Sequence, residues 1–425
     1  MAEKIIRDPV HDVIAFRTDH ALDRLLFGLL NAAEFQRLRR ILQLGMTHLA
    51  YPGATHSRYA HSLGVLETAR KMLCHIERHT AVSDEQRTLC LVSALLHDLG
   101  HGPFSHVFER VSHFPHEKLT LRVIQDPDSE VHRLLWQHDR LLPEKVAAFF
   151  GARDGQRTFL NDVISSQLDA DRFDYLLRDN HMTGSRYGQF DLQWLLHALD
   201  VESNRLVVTG KGASAIEDYL HARYNMYRNV YFHKVVRSAE GMVRLALQRA
   251  KRLAVQDRLT WPPRESSTHK ALLGQRLSIE QFTDLDDVAV NYCFKLWSTG
   301  DDATLARLCR GLLFRKVYKT IDLSHVPDPA DARAMFDRAA DAVERTGGDR
   351  HYDLFYDEPA DTPYVTDVEH ADDDQTDILI RGRDGVLTPF ARTSPLPKAL
   401  GERLMFRRIH VAPEHAGAAR GAVGS

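Results

Sequence analysis

Residues 94–106 read ALLHDLGHGPFSH. The apolar start continues a helical pattern over 84–98, and Gly100, Gly102 and Pro103 stop it. His97 and Asp98 therefore fall at the end of a helix that is buried. A buried imidazole beside a buried carboxylate is costly unless both are compensated. A metal ion does this well, taking nitrogen from a neutral His and both oxygen and charge from an ionised Asp. Taken alone, two residues favour the plainer reading of a capping His and a surface Asp.

The flanks supply more ligand-type residues. HSRYAHSLG (56–64) stands upstream and LDADRFDYLLRD (168–179) downstream. Helical periodicity also covers 22–45, 58–79, 116–125, 129–150, 158–179 and 213–255, the last broken near Asn229. NRLVVTGK (204–211) reads as the only strand-like piece of this half, one arm of a small hairpin. The texture changes after Leu323. A helix is expected at 332–345, then short β-like runs at 351–356, 376–381, 386–392 and 405–411. The expected architecture is mostly α: an all-helical core over 1–325 with a small hairpin, an α+β lobe over 326–412, and a flexible Ala/Gly-rich tail over 413–425.

Composition narrows the function classes. Of the 425 residues 44% are hydrophobic and 27% charged, which excludes disorder as the main state. The 55 basic and 58 acidic side chains leave a formal charge of −3, with no global drive toward nucleic acid or an anionic membrane. Four cysteines without a CxxC pair point to reduced thiols and a cytoplasmic protein. There is no run of 18 apolar residues for a membrane span, and no leader is expected at MAEKIIRDPV. Histidine, at 24 residues, is the outlier. His75 and His79 share a helix face but have no third ligand nearby, so that face reads as structural.

His61, the His97-Asp98 dipeptide and the DAD triplet at 169–171 follow one another in the order H…HD…D. Around them stand RDPVHDVI (7–14), FQRLRRILQLG (35–45), YPGATHSRYAHSLGV (51–65), LLHDLGHGPFSH (95–106), HEK (116–118), DADRFDYLLRD (169–179) and ARYNMYRNVYFHK (222–234). With these blocks the chain resembles the HD metal-dependent phosphohydrolase superfamily. Within it, the chain is most similar to the dNTP triphosphohydrolase branch, which includes sterile-alpha-motif/HD-domain enzymes; the sterile-alpha-motif itself is missing here.

The resemblance implies an HD-domain core with His61, His97, Asp98 and Asp171 as ligands of a divalent metal: Mn, Fe, Zn, Co or Mg. It implies His101, His106, Glu109 and His116 as the catalytic, proton-handling group, with Glu109 where relatives carry Asp. Arg58, Arg172, Tyr175 and Arg223 would grip substrate phosphates, with Asp179 also facing the substrate. Gln43 and Leu44 would approach sugar and base, and Tyr231 would pack under the ribose. Lys4, Gln36 and Arg39 match a nucleotide activator site in which Asn31 replaces a guanine-reading acid. Trp194 and Lys211 align loosely with further activator contacts.

The implied reaction is hydrolysis of a dNTP to deoxynucleoside and inorganic triphosphate. A homo-oligomer, dimer or tetramer, is implied too. Two alternatives stay open at this point: an HD phosphatase acting on another nucleotide or a biosynthetic intermediate, and a nucleotide-sensing or nucleic-acid-binding module with little turnover.

Overall fold

A computed structural model describes residues 3–153, 155–361, 377–396 and 404–424, apart from the side chains of His106 and Asp361. The molecule is mostly α-helical, with small sheets at its margins. Three helices frame the centre. Arg58–Ile76 starts at Ser57, whose Oγ accepts from the Ala60 amide at 3.4 Å. Asp84–Leu96 starts with a reciprocal capping box between Ser83 and Gln86. Ala170–Thr183 is capped by Asp169 and stopped by Gly184 at φ 69°. Helix Arg58–Ile76 packs against both others, and Leu63, Leu66, Leu73, Leu95, Phe173 and Leu176 close the core between them.

Several periodic stretches are divided where local chemistry overrides periodicity. The 22–45 stretch ends as a helix at Asn31, and Ala32 turns extended (ψ 142°) before the short turns Ala33–Gln36 and Arg37–Arg40. The 129–150 stretch splits into Glu130–His138 and Leu142–Phe150, the second opened by Pro143. The 158–179 stretch splits into Phe159–Ile164 and Ala170–Thr183, because Asp169 spends its side chain on a cap. The break near Asn229 is a π-helical turn, Tyr227–Tyr231, between Ala213–Met226 and Lys234–Val255.

One expectation is corrected at the N-terminus. NRLVVTGK is not the only strand-forming piece of its half, since Glu3–Asp8 and Asp12–Arg17 form an antiparallel hairpin. Only Ile14 and Phe16 of the second strand are fully buried, too short an alternation to stand out in sequence. The second hairpin pairs Leu199–Glu202 with Arg205–Thr209 through Ser203 and Asn204, both at positive φ (51° and 62°).

The C-terminal half returns to the helical core. Leu379–Arg381 adds in parallel to Arg205–Thr209, and Leu387–Pro389 pairs with it in turn. A three-stranded sheet places Arg408–Val411 between Lys319–Asp322 and Leu354–Asp357, so it crosses the boundary expected near residue 325. The tail expected to fray instead forms the helix Ala416–Val423, which packs on Pro329–Arg345 through buried Ala419 and Val423. Small side chains allow this close helix contact. Among the described residues no helix is long and apolar enough to cross a membrane.

A docked C-terminal helix predicts that Ala419→Arg costs about 1–3 kcal/mol in chemical denaturation, because the new side chain must be forced into a packed contact. A fraying tail would absorb the change within about 0.5 kcal/mol.

Candidate active site

His61 lies in the first turn of Arg58–Ile76, His97 and Asp98 follow Asp84–Leu96, and Asp171 lies in the first turn of Ala170–Thr183. One ligand atom each from His61, His97 and Asp171 lies within 4.8 Å of the other two. His61 Nε2 stands 2.9 Å from Asp171 Oδ1, and His97 Nε2 3.6 Å from the same oxygen. His97 Nδ1 bonds the Ala94 carbonyl at 2.9 Å, which turns Nε2 inward. That nitrogen is buried without a hydrogen-bond partner among the described residues. Two inward imidazole nitrogens and a carboxylate oxygen suit a divalent cation.

Asp98 adjoins this group. Its Oδ1 is 3.4 Å from His97 Nε2 and its Oδ2 3.8 Å from His61 Nε2. The carboxylate is ion-paired with Arg58 and lies 3.2 Å from His101 Nε2. Asp169, the other acid of the DAD triplet, is spent locally. It accepts from the Arg172 amide at 2.7 Å and the Ser166 amide at 2.9 Å.

Beneath the ligands lies a buried support that sequence reading missed. Asp174 accepts from His61 Nδ1 at 2.8 Å, fixing the ring so that Nε2 faces the other ligands. The same carboxylate bonds His11 Nε2 at 2.7 Å and receives Arg178 Nε and Nη2, each at 2.9 Å. Arg178 also reaches Asp8 at 2.8 Å. Burial would push the Asp174 carboxyl up, but Arg178, His11 and His61 hold it well below its ordinary 3.8. Burial would likewise push the His61 imidazole down, but Asp171 and Asp174 outweigh it and lift it to about 10. The signal was present in the spacing: Asp171, Asp174 and Arg178 recur at helical intervals on one face.

Of the residues expected to handle protons, His101, Glu109 and His116 gather next to Asp98. His101 stacks on His116 with ring centroids 3.9 Å apart and planes 14° from parallel. His116 Nδ1 stands 3.2 Å from Glu109 Oε2, so Glu at 109 reaches its partner. Burial and the Arg58 charge hold His101 well below its ordinary value, so this ring is neutral at physiological pH. The side chain of His106 lies outside the described residues.

Arg58 leads from Asp98 into a cavity of about 820 Å³. Gln43, Leu44, Tyr175, Asp179 and Tyr231 line it with Arg58. Tyr231 Oη donates to Asp179 Oδ2 at 2.8 Å, and His56 Nε2 bonds Oδ1 at 2.7 Å. Burial pushes the Tyr231 and Tyr175 hydroxyls well up, so both are neutral phenols. Arg172 and Arg223 do not line the cavity. Arg172 Nε lies 3.4 Å from Asp169, and buried Arg223 lies 5.6 Å from the Tyr227 ring centroid. The far wall comes from Arg237, Arg244 and the C-terminal segment Phe355–Ala360, which periodicity could not reveal.

The activator positions are only partly gathered. Arg39 Nε donates to Gln36 Oε1 at 2.9 Å and its guanidinium lies 3.6 Å over the Tyr59 ring. Asn31 spends its amide on the Phe27 carbonyl at 2.6 Å. Lys4 is exposed on the first strand. Trp194 Nε1 donates to the Lys211 carbonyl at 3.0 Å.

Fold and site together define a hydrolase of the HD type. The HD domain matches residues 58–177 and the HD associated region residues 190–259. Over 415 residues the chain is 36% identical to an uncharacterized protein of Bacillus subtilis, YwfO, covering 96% of this chain and 92% of that one. The deoxynucleoside triphosphate triphosphohydrolase SAMHD1 homolog of Dictyostelium discoideum is 29% identical over 284 residues, 61% of this chain. The match spans about half of that relative's length, 52%. A solved phosphohydrolase from Bacteroides thetaiotaomicron superposes with a TM-score of 0.81 at 27% identity, covering 96% of this chain and all of that one. The chain belongs to the HD-domain phosphohydrolase family.

Asp174→Asn is expected to weaken Mn binding, measured by calorimetry, by about 10–100-fold through loss of His61 orientation. It should also lower stability at pH 7 by about 3 kcal/mol or more, since Arg178 and His11 lose a buried charge partner. The folded value of Asp174 lies below 3.8, so its contribution is present above that pH and lost as pH falls through the folded value. The stability gap between variant and parent should therefore close under acid.

Proposed function

We propose that the protein hydrolyses deoxynucleoside triphosphates to deoxynucleoside and inorganic triphosphate. The observation that carries this reading is the continuity of the His61–His97–Asp171 group, through Arg58, with a cavity walled by Gln43, Leu44, Tyr175, Asp179 and Tyr231. The likeness to the triphosphohydrolase of Dictyostelium discoideum supports the substrate class.

His61, His97 and Asp171, with Asp98 adjoining, would hold a divalent ion. When bound, such an ion supplies Lewis-acid polarisation of the α-phosphoryl and a more acidic water. The chain's own residues do the rest. Water's oxygen bonds to the α-phosphorus and the bond to O5′ breaks, so O5′ needs a proton. His116, oriented by Glu109 and stacked on neutral His101, is the group that holds it. Arg58 offsets phosphate charge at the cavity entrance, and Tyr175 adds a neutral hydroxyl. Tyr231, held by Asp179, stands with Leu44 against the sugar, where a 2′-hydroxyl would clash or lie unpaired.

A homo-oligomer and a nucleotide activator complete the proposal. Asn31 cannot accept both guanine N–H donors as a carboxylate does, and its amide is already committed to Phe27. GTP alone is therefore a poor activator.

The test is product analysis with single dNTPs and NTPs in Mn, Mg, Fe or Co, with and without GTP. Triphosphate release from dNTPs, faster than from NTPs and without dependence on micromolar GTP, is expected. Orthophosphate release, or equal dNTP and NTP rates, would replace this reading with another HD phosphatase. Asp171→Ala should remain folded and lose most metal and turnover.

A further inference from the structure

The helix Asp287–Trp297 lies outside both family matches, yet its first residue touches two loops of the site. Asp287 is buried, and each carboxylate oxygen accepts one backbone amide. Oδ2 takes the Leu42 amide at 2.8 Å, and Oδ1 takes the Phe104 amide at 2.8 Å. Leu42 leads directly into Gln43 and Leu44 of the cavity wall. Phe104 leads into Ser105, whose Oγ accepts from Arg58 Nη2 at 2.7 Å.

The Phe104–Ser105 turn needs such a tether. Both residues have positive φ, 51° and 53°, a conformation that L side chains rarely adopt and that persists only where surroundings over-determine it. Helix Asp287–Trp297 supplies two of the constraints. Besides the Asp287 contact, Phe294 stacks on Phe104 with centroids 5.7 Å apart and planes 16° from parallel. Arg37 fixes the other end of the loop, donating Nη2 to the His101 carbonyl at 2.7 Å and Nε to the Leu285 carbonyl at 2.8 Å.

Asp287 is not needed to start its own helix. Asp286 is the cap, accepting from the Ala289 amide at 2.9 Å. Nor does stability alone call for a carboxylate there. Burial pushes the Asp287 carboxyl up to about 6, against the Leu42 and Phe104 amides and the Arg58 charge. An ionised group in that place is a cost to the fold at neutral pH.

We infer that Asp287 is a positioning residue, whose single carboxylate sets the substrate-wall loop 42–44 in register with the turn that presents Ser105 to Arg58. This rests on the hydrolase reading above for its consequence in turnover, and on geometry alone for the coupling of the two loops.

Asp287→Asn keeps the shape but places a donor against one of two backbone donors. Hydrogen–deuterium exchange of the whole chain, without substrate or metal, is expected to speed up by about tenfold in both 41–45 and 102–107, one loop losing its hydrogen bond outright and the other following the displaced carboxamide. Protection of 288–297 should be kept. In Phe294→Leu only 102–107 should loosen, so the coupling is testable even if Asp287→Asn folds poorly. In dNTP hydrolysis, kcat for Asp287→Asn should fall about tenfold per folded molecule and the dNTP-to-NTP rate ratio should narrow. Unchanged exchange in either loop overturns the inference. So does a parental kcat and rate ratio with only a lowered melting temperature. A parent protein inactive on dNTPs would sink the proposed reaction, while the exchange experiment would still decide the coupling.

Discussion

The buried carboxylate of Asp174 is the constraint on which the rest of the site depends. Asp174 is fully excluded from solvent, and a lone ionised group there would not be tolerated. Arg178, His11 and His61 surround it and make the charge permissible. Each of those partners comes with an obligation. Arg178 shares its guanidinium with Asp8, which draws the first strand against helix Ala170–Thr183. His61 must present its other nitrogen to Asp171. Gly64, one turn along from His61, must stay without a side chain, because a Cβ there would run into Asp174 and Arg178. Hairpin, two helices and the first residue of the candidate metal group are thus fixed by a single buried charge.

This explains which parts were legible in sequence. The helices carrying His61 and leading to His97 are rich in apolar residues, and the H…HD…D order places ligand-type residues at their buried ends. Those residues do converge. Asp174 was passed over because a polar residue in the middle of a helical stretch looks like a solvated face until its partners are known. Two of them, His11 and His61, lie far away in the chain. Asp287 was invisible for the same reason: its contacts run to Leu42 and Phe104, and no local pattern encodes pairing across such separations. The division of 158–179 was hidden because apolar residues continue through a segment that a single cap at Asp169 interrupts.

The C-terminal segments have a physical role that composition did not announce. Gly241 in helix Lys234–Val255 leaves room for the Phe355 ring. Arg237 holds Asp357 with two bonds, 2.7 and 3.1 Å, and Arg408 donates to the Phe232 carbonyl at 2.5 Å. All three contacts fall just after Tyr231. The strand Leu354–Asp357 is therefore locked to the helix that follows the proposed sugar-facing tyrosine, and its continuation closes the cavity. Cavity size is set between two halves of the chain rather than within the HD domain alone.

Arg58 and Arg178 show why two arginines near one group of carboxylates do different work. Arg178 is walled in, with both sides of its guanidinium taken by Asp174 and Asp8, so it can only hold structure. Arg58 is buried too, but it lines the cavity while paired with Asp98 and resting on Ser105. Its planar fork is set at the cavity wall by the protein, Nη1 on Asp98 and Nε and Nη2 on Ser105. That placement depends on Asp98, which adjoins the group of His61, His97 and Asp171 and pairs with Arg58 at the same time. It depends equally on Ser105, held in a left-handed turn by a helix from beyond the HD domain. A lysine at 58 could neutralise Asp98 but has no planar fork to rest on Ser105 at the same time. The geometry of this arginine, more than its charge, joins the ligand group to the space where a substrate would lie.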